Sequence, residues 1–473
     1  MSTAPSFNPE QKAAFKAIKK FLDHPSANVF VLQGYAGTGK TFLMQQLATW
    51  LTEQQQEFCM LASTGRAATV LKGKTGFPAK TVHSEVYSFN KINGINDDML
   101  RDNTADASNQ LSMEFTTRVA DEEKRLYIVD EASMLSCEIS KEGSFASYGS
   151  GIVLNDLFSV VGKNKIIFVG DPCQLPPVGQ SFSPALNVNW LTENDKVALS
   201  VKLEKIERTN STNDILKLAT AVREMYDGGI FELYPKLPAS NLNDVKLHSS
   251  DRVLFKAYSE RYKAAGPSDT LAVARTNRKV QIINKAMRRD LFGSANTPLR
   301  LDEILLVTQN NRKVPLTNGD FVKICELGEA KMKMGLTFQR VKVKAISSEI
   351  EYDLLLSLDA MQSENGNLTT EQMQELTIDF SHRMRAKGIS MNSAEYRNAM
   401  KDDEYYNCLR ATYGYAVTCH KAQGGEWNNV YLFLDNDNNG MYSMPPQNLC
   451  KWWYTSITRA RQELHLVREW WVV

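Results

Sequence analysis

The sequence predicts an α/β protein, and three observations carry that prediction. Short apolar runs recur at NVFVLQ (28–33), RLYIVDEA (125–132), KIIFVGD (165–171), TLAVAR (270–275), VYLFL (430–434) and ELHLV (463–467). Between them lie segments with helical spacing, as in TFLMQQLATWL, where Leu43, Leu47, Trp50 and Leu51 repeat. The runs alternate little between apolar and polar residues, the pattern of strands in a parallel sheet that helices cover on both faces.

Composition bounds the reading without deciding it. A chain of 473 residues is long enough for about three domains of ~150 residues each. Lys plus Arg number 55 against 54 Asp plus Glu, a net of +1, so the chain is neither a basic tail nor an acidic one. Charged residues at 23% and aromatics at 9% exclude a disordered or collagenous chain. A local basic groove suffices to hold a phosphate backbone, so a neutral balance does not exclude nucleic acid. The cysteines, seven in number, are scattered without a CxxC pair, which points away from a disulfide framework or zinc cluster and towards a reducing, cytoplasmic setting. MSTAPSFNPEQK lacks a charged head followed by an apolar run, and no stretch approaches the ~18 apolar residues of a membrane span, so neither secretion nor a membrane partner is expected.

In chain order, FNPEQ (7–11) opens a helix. Asn8 suits the N-cap, Pro9 the first helical position, and Gln11 stands three after the cap, where a capping box places it. The strand NVFVLQ then runs into GYAGTGKT (34–41), which matches G-x-x-x-x-G-K-[ST] in the strand–loop–helix setting that motif needs. In such a loop Gly34, Ala36, Gly37, Thr38 and Gly39 let backbone N–H groups wrap phosphates, Lys40 reaches the β and γ oxygens, and the Thr41 hydroxyl can ligate Mg²⁺. VDEAS (129–133) ends another strand on Asp130 and Glu131, a carboxylate for the metal and a neighbour to orient or deprotonate water. GDPCQLPPVG (170–179) follows a third strand. Its Gln174 amide can both donate to and accept from a γ-phosphate, and Pro176 and Pro177 stiffen the exit.

Taken together these strings resemble superfamily 1 helicases, and within them the five-prime to three-prime group with RecD-like and Dda-like members. STGRAA (63–68), TVHS (81–84), GDPCQLPPVG, TCHKAQGGEW (418–427) and YTSITRAR (454–461) look like that family's successive motifs, in order, over nearly the whole chain. QLPPVG favours the RecD side over the UvrD-like group. Where a Pif-type signature would stand, between the second and third motifs, the chain has CEISKEGSFASYGSG.

The resemblance implies two RecA-like core domains, 1–83 with 125–205 and 206–300 with 405–473, that close on ATP and Mg²⁺. It implies further that Gln11 reads adenine, that Glu426 contacts the ribose, and that Arg208 and Arg459 are arginine fingers beside the catalytic Lys40, Glu131 and Gln174. Ser63, Thr64, Thr81 and His83 from the first domain, with Thr418, His420 and Lys421 from the second, would hold the DNA backbone, since hydroxyl, imidazole and ammonium groups suit phosphates better than base edges.

Two insertions interrupt the α/β pattern. Residues 84–124 read as a pin subdomain, in which Tyr87 or Phe89 either wedges into the duplex or packs as an ordinary strand residue. Residues 301–404 read as an SH3-like β-barrel with a hairpin at Asn318-Gly319, followed by the charged helical stretch NLTTEQMQELTIDFSHRMRAKG, which can reach the pin. The expected activity is ATP-driven 5′ to 3′ translocation on single-stranded DNA with unwinding of a forked duplex, by a monomer working beside a single-strand-binding protein or replication machinery. A protein-stripping translocase, a nucleotide-switched clamp and an RNA substrate remain open alternatives.

Overall fold

The computed structural model describes residues 7–94, 111–120, 122–139, 145–206, 213–229, 231–232, 234–296, 298–391, 393–434 and 443–473. Arg208 and the middle of the first insertion lie outside them. Two parallel sheets form the α/β body. The first contains β1 (Val29–Gly34), β2 (Phe58–Ala62), β3 (Ala79–Thr81), β6 (Leu126–Asp130), β8 (Lys165–Gly170) and β9 (Ala198–Leu203), in the order β3-β2-β6-β8-β1-β9. Its strands are almost entirely buried, which is why their sequences read as apolar runs. Ile18 and Phe21 of α1 (Pro9–Asp23) and Leu43, Leu47 and Leu51 of α2 (Lys40–Glu53) pack with Phe30, Leu32 and Ile167 into one core.

The second sheet follows the same rule with β10 (Val245–His248), β11 (Thr270–Ala274), β17 (Ala416–Thr418), β18 (Trp427–Phe433) and β19 (Ala460–Val467), in the order β10-β19-β18-β11-β17. Tyr35, Cys173 and Leu175, from the loops of the first sheet, belong to the core of the second, so the two bodies share apolar contact at their junction.

A three-stranded sheet occupies the first insertion: β4 (Tyr87–Asn93) pairs antiparallel with β5 (Ser112–Thr117), and β7 (Ala146–Tyr148) adds to β5 in parallel. The last strand comes from CEISKEGSFASYGSG, which the sequence reading left without an element. Tyr87 is buried and its hydroxyl donates to Asp156 at 2.8 Å, so of the two readings weighed for it the packed strand is the correct one. Phe89 is half-buried and meets Phe115 edge-on, with ring centroids 5.6 Å apart.

The second insertion is an antiparallel sheet of β12 (Ile304–Val307), β13 (Phe321–Lys333), β14 (Leu336–Ala345) and β15 (Glu351–Ser357), closed on its other edge by β16 (Ala411–Tyr413). The hairpin expected at Asn318-Gly319 is not a tight one. A long loop, 308–320, joins β12 to β13, and the two-residue turn is Met334-Gly335, where both residues have positive φ (51° and 70°) as a type I′ turn demands. The long loop instead reaches α3 (Gly65–Thr75). A side chain at Gly65 would run into Thr317, and Arg66 lays its guanidinium on Trp427 of the second sheet (4.3 Å) and Phe321 of the insertion (5.0 Å). The charged stretch forms the helix Thr370–Ala386, opened by a Thr369/Gln372 capping box, and Gln374 donates to Leu111 O, just before β5 of the three-stranded sheet, at 3.4 Å.

The second insertion is anchored where the chain enters it. Arg288, on the helix Asn277–Phe292, pairs with Glu303 just before β12, and both side chains are essentially solvent-free. Arg288 also donates to the carbonyls of Ala295 and Pro298, so the guanidinium is well saturated. Glu303→Ala strands that charge in the interior and is expected to cost about 3–5 kcal/mol. Urea unfolding followed by circular dichroism measures this, and a loss below ~1 kcal/mol would show that the pair is not structural.

Candidate nucleotide and nucleic-acid sites

Three neighbouring strands of the first sheet, β6, β8 and β1, deliver three groups to one end. The P-loop follows β1, Asp130 and Glu131 follow β6, and Gln174 follows β8, the carboxyl-end placement at which ligands bind in open α/β sheets. Gly39 has φ +82°, and a Cβ there would lie 2.4 Å from Gln11 Nε2, so only glycine allows the close approach. Glu131 adopts a left-handed φ of +50°, a conformation unusual for glutamate that turns the chain sharply at the end of β6. α2 has no side-chain cap, so the N–H groups of its first turn stay free for an anion.

These groups line one cavity of about 490 Å³. The wall contains Gln11, Ala36, Gly37, Gly39, Lys40, Thr41, Asp130, Glu131 and Gln174 from the first half, and Glu426 and Arg459 from the second. Gly34 and Thr38 shape the loop without lining the cavity: Lys40 Nζ donates to Gly34 O (2.6 Å) and Tyr35 O (3.0 Å), and Thr38 Oγ1 donates to Tyr35 O. The capping box at Gln11 forms as expected, and its Nε2 also donates to Thr38 O at 3.1 Å. Each end of the amide keeps capacity for one more bond, so the cap and a base contact are compatible. Gln174 is buried with its Oε1 lacking any partner, an arrangement costly unless a ligand supplies one.

Electrostatics fit a dication. Burial, and then the charge of adjacent Glu131, push the Asp130 carboxyl up to about 7, while Lys40 and Lys74 pull it down. A half-buried carboxylate set against a second acid is relieved by a metal ion, and Thr41 shares its cavity. Mg²⁺ takes few protein ligands and keeps water and phosphate oxygens, so one carboxylate and one hydroxyl are a sufficient protein share.

Arg459 reaches the cavity from the end of the helix Pro446–Ile457 and is 4% exposed. Its guanidinium donates to Thr455 O (2.9 Å), Gly425 O (3.1 Å) and Thr458 Oγ1 (3.0 Å), leaving its remaining N–H groups for a ligand. Glu426 is ion-paired with Arg461 (3.0 Å) and Lys74 (3.8 Å).

Sequence reasoning missed the bonds that join the two halves. Tyr454 Oη accepts from Ala36 N of the P-loop (2.9 Å) and donates to the buried carboxylate of Asp171 (2.7 Å). Leu175 N donates to Thr455 Oγ1 at 3.0 Å. It missed Lys74 as well, although Ala67, Val70 and Lys74 stand at helical spacing along α3 and all line the cavity.

The residues expected to hold a strand lie at or just after strand ends on the β3-β2 side of the first sheet and the β17 side of the second. Ser63 and Thr64 follow β2, Thr81 ends the edge strand β3, and Thr418 ends the edge strand β17, with His420 and Lys421 following it. Thr64 and Thr81 cap helices by accepting from Ala67 N and Ser84 N, which leaves each hydroxyl proton to donate. Ser63 Oγ is buried without a partner. The side chains of His83, His420 and Lys421 make no hydrogen bond or ion pair among the described residues, and burial pulls the pKa of His420 and Lys421 down. No helix among the described residues is long and apolar enough to cross a membrane.

Comparison with known proteins finds similarity along both halves of the chain. Residues 6–229 match the model of an AAA domain and residues 413–467 that of a UvrD-like helicase C-terminal domain. The chain is 25% identical to the ATP-dependent RecD2 DNA helicase of Deinococcus radiodurans over 91% of its own length and 46% of that protein. It is 21% identical to the ATP-dependent DNA helicase Pif1 of a Psychrobacter species over 84% of its own length and 60% of that protein, so it spans about half the length of these curated relatives. A crystal structure of Pif1 helicase from Bacteroides in complex with ADP-AlF3 and single-stranded DNA aligns over 96% of this chain and 91% of that one, at 16% identity and a TM-score of 0.48. With matches running along both halves around a cavity that both halves line, this chain is similar to the RecD- and Pif1-like superfamily 1 helicases.

Proposed function

We propose that this chain is an ATP-dependent DNA helicase that moves 5′ to 3′ on single-stranded DNA and separates the duplex ahead of it. The observation that carries the reading is that Lys40 and Arg459, 419 positions apart, line one cavity from opposite halves. A triphosphate seated there touches both bodies, so its binding and loss change how the halves sit against each other. A ligand moves such an equilibrium only by its differential affinity for the two states.

In this reading Gln11 takes the base and Glu426 the ribose. Lys40 and the first turn of α2 hold the β and γ phosphates, and Thr41 with Asp130 holds Mg²⁺, which supplies charge neutralisation when bound. Glu131 orients and deprotonates the attacking water, Gln174 bonds the γ-phosphate, and Arg459 and Arg208 act as the arginines that stabilise the charge that develops there. Residues 1–83 with 125–205 and 206–300 with 405–473 act as the two core domains, gripping the strand through Ser63, Thr64, Thr81 and His83 on one side and Thr418, His420 and Lys421 on the other. Residues 84–124, Phe89 among them, serve as the pin, and 301–404 as an SH3-like module beside the strand. The partners are single-stranded DNA and forked duplex, met by a monomer.

Duplexes carrying only a 5′ or only a 3′ tail, with and without ATP, test this directly. The expected result is ATP-dependent opening of the 5′-tailed fork alone. Opening from the 3′ tail would reverse the polarity, while streptavidin displacement without strand separation would make the protein a translocase.

A further inference from the structure

We propose that Tyr148 is a stacking platform for one base of the bound strand, set where the three-stranded sheet meets the 308–320 loop of the second insertion. The inference rests on the reading of the chain as a motor on single-stranded DNA. It starts from CEISKEGSFASYGSG, a segment that neither the nucleotide site nor the strand-end residues use.

The ring is exposed and rigid at once. Tyr148 is 36% exposed, yet it lies on Phe115 with centroids 4.7 Å apart and planes 15° apart, and Tyr87 packs against it at 5.2 Å. Its backbone is fixed on both sides. β7 pairs with β5 so that Tyr148 stands opposite Phe115, and Gly149 N donates to Phe115 O at 2.8 Å. The following turn is held by the buried carboxylate of Asp156, which accepts from Ser150 N and from the Tyr87 hydroxyl. At Gly149, with φ +42°, a Cβ would lie 2.4 Å from that carboxylate, so the turn closes tightly on it. An aromatic ring so constrained loses little conformational freedom when a base stacks on it.

Its neighbours suit a polynucleotide. His83, exposed and among the residues expected to hold the backbone, meets Tyr148 edge-on at 6.0 Å. Arg312, from the 308–320 loop, places its guanidinium 5.1 Å from the Phe115 ring beneath Tyr148, and it and Lys313 are exposed. Arg312 and Tyr148 thus both pack on Phe115, which sets the cation one ring away from the platform, where a phosphate next to a stacked base can meet it. An aromatic face flanked by cations is the combination that binds single strands without reading their sequence.

Anisotropy titrations of a labelled oligothymidylate, with wild type, Y148A, Y148F and R312Q, test this. Y148A is expected to bind about 5- to 150-fold more weakly, with Y148F within about twofold of wild type. R312Q should reduce the slope of log Kd against log salt by about 1, whereas Y148A leaves it unchanged, since stacking releases no counterion. DNA-independent ATPase activity should be normal in all three variants, because neither side chain lines the nucleotide cavity. Y148A binding as tightly as wild type, or Y148F binding as weakly as Y148A, overturns the proposal. If Y148A unfolds, Y148L keeps apolar cover on Phe115, and a 2-aminopurine walked along the strand supplies the readout. One position should be quenched by wild type and not by Y148L, and an identical quenching profile overturns the proposal. Wild type that binds no oligonucleotide overturns the motor reading too, whereas binding indifferent to position 148 overturns this one alone.

Discussion

Lys40→Ala is expected to reduce ATP hydrolysis by about 10³-fold or more, while DNA binding without nucleotide stays within about threefold of wild type. The direction follows from where the ammonium sits. Its two hydrogen bonds, to the carbonyls of Gly34 and Tyr35, hold it at the mouth of the P-loop beside the free N–H groups of α2. A bound phosphate would draw it from those neutral carbonyls to charged oxygens, and the attraction grows as negative charge accumulates in transfer. Removing a single neutral donor from such a site commonly costs 10²–10³ in rate, so about 10³ is a lower expectation for a full charge. Alanine also removes the cation of the loop whose charge pulls the Asp130 carboxyl down. Phosphate release under saturating ATP, with anisotropy on an oligonucleotide, separates the two effects. Turnover above about a tenth of wild type would remove Lys40 from the chemistry.

Arg459→Ala is expected to lower kcat by about 10³- to 10⁵-fold with nucleotide affinity nearly unchanged, the mark of an interaction made in the transition state. Three protein acceptors already hold the guanidinium, so it arrives oriented and needs little reorganisation when γ-phosphate charge develops. Arg459→Lys keeps the charge and loses the fork, and should recover little activity. Because the side chain is buried, the control is thermal unfolding of the variant beside wild type. A variant that binds nucleotide tenfold more weakly with kcat preserved would show that Arg459 shapes the cavity and takes no part in turnover. The two substitutions probe opposite halves, and both should uncouple strand binding from ATP consumption.

How much of this was legible depends on the range of the interactions. GYAGTGKT, VDEAS and GDPCQLPPVG each depend on a strand end and the few residues after it, so backbone preference and apolar pattern expose them in a window of ten residues. Gln11 was legible as a cap, because Asn8, Pro9 and Gln11 stand within one helical turn, whereas its bond to Thr38 O in the phosphate loop was not. Asn318-Gly319 misled for the opposite reason: the dipeptide favours positive φ, and Gly319 does adopt φ +97°, but it spends that freedom on closing a loop over Arg66 and not on a tight hairpin. The alternation around Tyr87 could not choose between wedge and core, since a pleated strand shows one face to each, and the bond to Asp156, 69 residues away, chose the core.

The sequence by itself determined the strands, the phosphate loop and the acidic pair, because these follow from chemistry between near neighbours along the chain. Only the tertiary structure decided that Tyr454 bridges Ala36 and Asp171, across 418 and 283 positions, that Arg66 is sandwiched with Trp427 and Phe321, and that Tyr148 rests on Phe115. Such contacts arise from how separate layers pack. The free energy that selects them belongs to buried area and to hydrogen-bond partners supplied by another element, and no local pattern encodes which element that will be.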